Sequence, residues 1–140
     1  MAYDHAMSAH LTVLVYSDNR ATRECVIRAL GRRPAADLPE FDFLEVATAA
    51  MVLQRMDSGG IDVAILDGDA TPAGGMGIAK QLRDELASCP PVVVLTGRSA
   101  DDWLARWSRA DAAVEHPVDA ARLTAAVVGA LRAWRQPTPV

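Results

Sequence analysis

The sequence predicts a single-domain α/β protein with a doubly wound, parallel five-stranded sheet and helices on both of its faces. Short runs rich in valine, isoleucine and leucine alternate along the chain with segments of helical periodicity. Within the runs apolar and polar residues do not alternate, which indicates strands buried on both sides, as in parallel sheets. The 140 residues suffice for one such domain and are too few for two.

Five apolar runs, each bounded by glycine, proline, aspartate or asparagine, are the predicted strands. They are Leu11–Tyr16, Phe41–Ala47, Ile61–Leu66, Pro91–Leu95 and Ala112–Val114. The residues between them allow a helix in each connection, so we expect right-handed crossovers and the order (βα)₅.

Five segments have apolar residues at the three- and four-residue spacing of a buried helix face. They are centred on Cys25–Leu30, Ala49–Met56, Ile78–Leu86, Asp101–Arg109 and Asp119–Trp134. In the last of them Leu123, Val127, Ala130 and Trp134 are expected to share one face.

Residues suited to helix ends flank the first two predicted helices. Gly31 follows the first helix, Thr48 precedes the second as its N-cap, and Gly59 and Gly60 close it. We expect the domain to span residues 11–134, with a flexible start over residues 1–10 and a frayed tail over residues 135–140.

Composition and charge exclude several classes of function. The formal net charge is −4 and no stretch gathers lysine and arginine, which disfavours direct binding to nucleic acid. No segment resembles a secretory signal or a membrane span, so we expect a cytoplasmic protein without membrane insertion. Cys25 and Cys89 lack CxxC spacing, and we expect both to be buried and reduced.

Polar residues follow four of the predicted strands, where a parallel doubly wound sheet gathers its ligands. The segments are Ser17-Asp18-Asn19, Asp67-Gly68-Asp69, Thr96-Gly97 and His116-Pro117. Carboxylates from two neighbouring strand ends, Asp18 and Asp67, suit a magnesium ion, which takes one or two carboxylates and keeps several waters. A hydroxyl and a cation beside them can hold a phosphoryl group.

These segments resemble the receiver domain of bacterial response regulators, a flavodoxin-like (CheY-like) fold, over nearly the whole domain. Asp67 closes an apolar third strand, with Gly75 eight residues on, and so matches the phospho-acceptor position. Thr96-Gly97 matches the hydroxyl switch position, and His116-Pro117 matches a lysine followed by a cis-proline. The resemblance implies a magnesium site formed by Asp18, Asp67 and the backbone carbonyl of Asp69.

The chain departs from the receiver pattern at several functional positions. Ser17 stands where the family has the first of two acids, and His116 stands where it has lysine. Ala113 replaces the aromatic residue that couples to the threonine, and Pro72 lies one place later than the usual proline. These departures favour a degenerate receiver, a pseudo-receiver that binds other proteins without catalysis. The alternative is a phosphorylatable single-domain response regulator with Asp67 as its magnesium-dependent acceptor.

A small phosphatase is a third interpretation of the sequence. Asp67-Gly68-Asp69 resembles the DxD motif of haloacid-dehalogenase-like phosphatases, but those enzymes carry the motif on their first strand and need a later lysine. The one lysine of this chain, Lys80, falls inside the predicted third helix. We therefore do not expect an enzyme.

A candidate partner surface lies on the predicted fourth helix. Trp103 and Trp107 are four residues apart and share a stripe, with Arg106 and Arg109 at the same end. The chain further resembles stand-alone receiver-like proteins of actinobacteria encoded near the proton-pumping NADH dehydrogenase. That resemblance implies a respiratory complex as partner and a place peripheral to a membrane-bound assembly, whereas the phosphorylatable alternative implies a histidine kinase.

Overall fold

One parallel sheet organises the computed structural model, which describes residues 10–69, 75–86, 88–97 and 109–135. The described strands are β1 (His10–Tyr16), β2 (Glu40–Val46), β3 (Val63–Asp67), β4 (Val92–Thr96) and β5 (Ala112–Glu115). Their order in the sheet is β2-β1-β3-β4-β5, and every neighbouring pair is parallel. The predicted doubly wound sheet is confirmed.

Four helices connect or follow the strands in the described part of the chain. They are α1 (Arg20–Leu30), α2 (Ala49–Ser58), α3 (Gly75–Glu85) and α4 (Ala120–Arg135). The helix predicted over Asp101–Arg109 lies outside the described residues except for Arg109, whose φ of 62° does not continue a helix. Among the described helices, none is both long and apolar enough to cross a membrane.

Two apolar cores flank the sheet, one on each face. On one face the inward side chains of β1, β3 and β4 pack against α2 and α3, with Val52, Met56 and Leu82 fully or nearly buried. On the other face the alternate residues of these strands pack against α1 and α4, where Leu123 and Leu131 are fully buried. All residues of β3 and β4 are buried, which explains why their sequences are apolar runs without alternation.

The predicted helix ends are confirmed. Gly31 and Gly59 close α1 and α2 at φ of 66° and 83°, in the left-handed region that glycine adopts without strain. Gly60 follows at φ of 86°. The Thr48 hydroxyl caps α2 by accepting a hydrogen bond from the Met51 N–H at 3.2 Å.

The expected start of β3 and the expected burial of Cys25 were wrong. β3 begins at Val63 and not at Ile61. Cys25 is exposed, because Val26 and Leu30 define the inward face of α1 and Cys25 lies about 100° away from Val26. Cys89, which precedes β4, is buried as expected, and burial raises the pKa of its thiol.

Trp134 is also more exposed than its helical spacing predicted. Its exposure is 47 %, whereas Leu131, three residues earlier on α4, is fully buried. Trp134 belongs to the last turn of α4, which reaches past the part of the helix that packs on the sheet. Sequence periodicity continues to the end of a helix, but burial ends where the neighbouring elements end.

The long connection between α1 and β2 is held against α4. The Arg132 guanidinium donates two hydrogen bonds to the Asp37 carboxylate, at 2.7 and 3.0 Å, and Leu38 beside it is buried. The hydrogen bond from Arg132 holds the pKa of the Asp37 carboxyl below its ordinary value.

We expect Arg132→Gln to move the pKa of Asp37 back towards its ordinary value, as measured by NMR titration of the carboxyl carbon. A carboxyl whose pKa is lower in the folded than in the unfolded chain stabilises the fold at neutral pH, and that contribution disappears as pH falls through the folded-state pKa. The matched control is Arg122→Gln, because Arg122 is on the same helix as Arg132 and pairs at 3.8 Å with another carboxylate, that of Asp119 just before the helix. An Asp37 pKa that is the same in wild type and Arg132→Gln would contradict the assignment.

Candidate functional site

The carboxyl ends of β1, β3, β4 and β5 form one polar rim around Asp67. Backbone hydrogen bonds join the strand ends: the Gly68 N–H donates to the Leu95 carbonyl and the His116 N–H to the Thr96 carbonyl, both at 2.8 Å. Asp67 itself is only 4 % exposed. The rim thus brings together polar residues that are far apart in the sequence.

Both carboxylate oxygens of Asp67 have hydrogen-bond partners. The Ser17 hydroxyl donates to Oδ2 at 2.7 Å, and the Asp69 backbone N–H donates to Oδ1 at 2.9 Å. The Nε2 atom of His116 lies 3.2 Å from the same Oδ1. Three groups therefore satisfy a buried carboxylate, as buried charge requires.

Ser17 is the most deeply buried member of the rim, with no exposed surface. Its hydroxyl donates to Asp67 and accepts the backbone N–H of Asn19 at 3.0 Å. Its carbonyl accepts a hydrogen bond from Arg23 Nη1 at 2.7 Å, and Arg23 also pairs with Glu45 at 3.1 Å. The side chain and the backbone of Ser17 are both fixed in place.

The sequence did not reveal this role of Ser17. The available signal was a polar residue, Ser17, directly after the apolar run of β1. It indicated that the first acid of the receiver pattern is absent, but not which group the hydroxyl contacts. Arg23, which fixes the Ser17 carbonyl, was missed because arginine on an amphipathic helix is ordinarily a solvated residue.

Three side chains of the rim lie close enough to share a divalent cation. One ligand atom each from Asp67, Asp69 and His116 lies within 4.8 Å of the others. The predicted magnesium set thus shares Asp67 and Asp69 with this group, in which Asp69 offers a carboxylate oxygen. Asp18 is exposed at the end of β1 and is not a member of the group.

The negative charge at the rim acts on the neighbouring tyrosine. Burial, followed by the charges of Asp18 and Asp67, raises the pKa of Tyr16 above its ordinary value. Tyr16 ends β1 and is 1 % exposed. The carboxylates of the rim thus add to the effect of burial on this tyrosine.

Gly97 makes room for the Asp69 carboxylate. A Cβ atom at position 97 would lie 2.6 Å from both carboxylate oxygens of Asp69, closer than real contacts allow. The carboxylate therefore lies directly over the Gly97 backbone, on the side of the rim where the ligand atoms of Asp67 and His116 are found.

Two of the three predicted switch positions, Thr96 and Ala113, differ from each other in environment, and the third, His116, contacts Asp67. Thr96 is 1 % exposed, and its Oγ1 has no hydrogen-bond partner among the described residues. Ala113, which pairs with Val94 in the sheet, is exposed and has only a methyl group. No aromatic side chain at position 113 can follow a movement of Thr96.

Thr96→Val should leave the free energy of unfolding unchanged or raise it by about 1 kcal/mol, because replacing a buried hydroxyl that lacks a partner by a methyl group removes a desolvation cost. Thr48→Val, the matched control, should lower it by about 1 kcal/mol because it removes an N-cap. Urea unfolding of both variants measures the difference. An equal loss in both would mean that the Thr96 hydroxyl has a partner.

The predicted partner surface is described only at Arg109. Its guanidinium lies 3.2 Å from the Asp84 carboxylate of α3. Trp103, Arg106 and Trp107 lie outside the described residues. The charge of Arg109 is therefore shared with the neighbouring helix, and the rest of this surface stays a prediction.

Comparison with known proteins gives close relatives. Two curated proteins from two strains of Mycobacterium tuberculosis, both named uncharacterized response regulatory proteins, are 65 % identical over 126 residues. The match covers 90 % of this chain and 95 % of each relative. No protein-family model matches the chain.

Solved structures of response regulators have the same fold. A two-component response regulator of the LuxR family from Aurantimonas sp. SI85-9A1 is 21 % identical with a TM-score of 0.73, over 87 % of this chain and 85 % of that one. A two-component response regulator from Clostridium difficile is 16 % identical with a TM-score of 0.72, over 90 % and 99 %. The fold, the polar rim around Asp67 and the mycobacterial relatives agree, and the chain belongs to the response-regulator receiver family.

Proposed function

We propose that this chain is a pseudo-receiver, a protein-protein interaction module whose conformation does not depend on phosphorylation of Asp67. The observation that carries the proposal is the hydrogen bonding of both Asp67 oxygens, by Ser17 on one side and by His116 and the Asp69 backbone on the other. In this arrangement the carboxylate is a structural acceptor that ties β1, β3 and β5 together.

Phosphorylation at this rim would be opposed by charge. A phosphoryl group adds about −1.5 to −2 charge at pH 7. The Asp69 carboxylate lies beside Asp67, and Ser17 is neutral where receivers carry an acid that helps to hold a cation. Three groups already contact the Asp67 carboxylate, which leaves fewer of its lone pairs free to attack a phosphodonor.

Among the described residues, the rim also lacks the aromatic side chain that receivers couple to the threonine, because position 113 is an alanine. A modification shifts a conformational equilibrium only if it interacts differently with the two states. With Ala113 exposed and limited to a methyl group, a movement of Thr96 has no large side chain at position 113 to displace. Binding to a partner is therefore expected to be constitutive.

The partner is a protein, and we place its contact on the surface that includes Trp103, Arg106, Trp107 and Arg109. An accessory role in a larger assembly, such as the respiratory NADH dehydrogenase, explains why the switch residues differ while the fold persists. It is supported by the resemblance to actinobacterial stand-alone receivers and by the mycobacterial origin of the two close relatives.

A phosphorylatable single-domain response regulator, served by a histidine kinase, is the second candidate. The buried Thr96 hydroxyl favours it, since Oγ1 has no partner among the described residues and can donate a hydrogen bond to a phosphoryl oxygen. The phosphatase interpretation has no such support, because the Lys80 Nζ atom forms an ion pair with Asp84 Oδ2 on the same helix, α3, at 2.7 Å.

Intact-mass spectrometry after incubation with magnesium and acetyl phosphate separates the two candidates. We expect no added phosphoryl group on the wild-type chain. The positive control is the double variant Ser17→Asp, His116→Lys, which restores the family's residues and should gain one phosphoryl group that Asp67→Asn abolishes. A phosphoryl group on the wild-type chain that Asp67→Asn abolishes would overturn the pseudo-receiver proposal.

A further inference from the structure

We infer that Asp67, Asp69 and His116 form a binding site for a first-row transition metal ion such as Zn²⁺, in place of the magnesium site of receivers. The inference goes beyond the proposed function, because it concerns which ion the rim selects and not whether Asp67 is phosphorylated. It is carried by the identity and spacing of the three ligand groups.

The residues at the rim do not fit magnesium. Magnesium prefers octahedral coordination by carboxylates, carbonyls and water. Here one of the three clustered groups is an imidazole, and Ser17, at the position of a family acid, uses its hydroxyl proton on Asp67. The carboxylate of Asp18 lies outside the group.

The same residues fit an ion that accepts nitrogen ligands. Imidazole suits zinc, copper, iron and nickel, and affinities for nitrogen and oxygen sites rise along the first transition row towards copper. A site of one histidine and two carboxylates leaves at least one position for water. Replacement of a lysine by histidine converts a cationic group, which repels metal ions, into a ligand.

The distances support coordination of one ion. Ligand atoms bound to zinc at about 2.0–2.2 Å, with angles between octahedral and tetrahedral values, lie about 3.0–3.4 Å apart. Nε2 of His116 and Oδ1 of Asp67 are separated by 3.2 Å. The third ligand atom is within 4.8 Å and belongs to the exposed side chain of Asp69, which can close the remaining gap by rotation.

The surrounding contacts fix the ligands before an ion binds. The Ser17 hydroxyl holds Oδ2 of Asp67 and leaves Oδ1 to face His116. Gly97 leaves room for the carboxylate of Asp69, as its lack of a Cβ atom shows. Outer contacts of this kind orient metal ligands, and their loss typically lowers affinity about 10–100-fold.

Isothermal titration of the untagged full chain with ZnCl₂ and with MgCl₂, in the absence of any phosphodonor, tests the inference. The exposed Cys25 thiol is first replaced by serine in every sample so that it cannot bind zinc. We expect one Zn²⁺ per chain, bound at least tenfold more tightly than Mg²⁺. His116→Lys and Asp69→Asn should each weaken zinc binding at least tenfold.

The matched control is His10→Gln. His10 lies 3.2 Å from Asp42 at the opposite end of the sheet, so it is a second histidine-carboxylate pair, exposed and outside the group. Its replacement should leave zinc affinity unchanged. Thermal unfolding of each variant without metal shows whether the fold is kept.

A second variant tests the geometry without removing a ligand. Gly97→Ala should push the Asp69 carboxylate away at small cost in stability, because the atoms that must move are the end of an exposed side chain. We expect a severalfold loss of zinc affinity. Visible absorption of the Co²⁺-loaded protein gives an independent readout, since its intensity should fall in His116→Lys.

Zinc binding that is equal in the wild type, His116→Lys and Asp69→Asn would overturn the inference, as would tighter binding of Mg²⁺ than of Zn²⁺. The outcome is independent of the proposed function, because a chain that accepts a phosphoryl group can still prefer zinc, and a chain that does not can still fail to bind it.

Discussion

Ser17→Asp should be the most destabilising substitution at the rim, lowering the free energy of unfolding by about 3–5 kcal/mol, the range for an uncompensated buried charge. The wild-type hydroxyl has no exposed surface and donates to Asp67 at 2.7 Å. The substitution removes that donor and places a second carboxylate against the first, in a site that water cannot screen. Urea unfolding in metal-free buffer measures the loss.

Added divalent cations should restore part of that stability, because an ion that binds only the folded chain stabilises it by mass action. Asn19→Asp is the matched control: Asn19 is exposed, and its side chain caps α1 by accepting the Ala21 N–H, which aspartate does equally well. It should change stability little, with or without metal. A Ser17→Asp chain as stable as the wild type in metal-free buffer would show that the Ser17 hydroxyl does not hold Asp67.

Asp67→Ala should lower the free energy of unfolding by about 3 kcal/mol. The substitution leaves two donors, the Ser17 hydroxyl and the Asp69 N–H, without their acceptor, and each hydrogen bond to a charged group contributes about 1.5–3 kcal/mol. Asp67→Asn should lose less, since its amide oxygen keeps one acceptor. The sign of this change in stability shows whether hydrogen bonding or repulsion dominates at Asp67. In a rim dominated by repulsion between carboxylates, removal of Asp67 would instead stabilise the chain.

The control for this prediction is Asp69→Ala, which removes an exposed carboxylate from the same rim but leaves the hydrogen bonds of Asp67 in place. Its effect should lie within about 0.5 kcal/mol, as for ordinary surface substitutions. Urea unfolding at neutral pH compares the variants. Greater stability of Asp67→Ala than of the wild type would contradict a structural role for this carboxylate.

The fold could be predicted from the sequence because its signals are local and agree with one another. The apolar run of β3 and the cap at Thr48 each follow from a few neighbouring residues. The errors arose where burial depends on the packing of whole elements. Cys25 points away from the sheet, and Trp134 lies on the last turn of α4, beyond the buried part of the helix.

The site was predictable in position but not in its contacts. Parallel strands bring Asp67, Thr96 and His116 to one edge of the sheet wherever their side chains point. The hydrogen bond between Ser17 and Asp67 spans fifty residues and depends on side-chain rotamers that no local pattern encodes. The position of the Asp69 carboxylate over Gly97 is likewise a matter of tertiary structure.

In the pseudo-receiver that we propose, Asp67 holds the fold in one conformation and does not switch it. The most direct test is the ¹H–¹⁵N correlation spectrum of the full chain before and after addition of magnesium and phosphoramidate, with Asp67→Asn measured in parallel. We expect the wild-type amide resonances of β4, β5 and α4 to keep their positions on addition of the phosphodonor. Shifts across these elements that require the phosphodonor and vanish in Asp67→Asn would contradict a structural role of Asp67 and identify the chain as a phosphorylation switch.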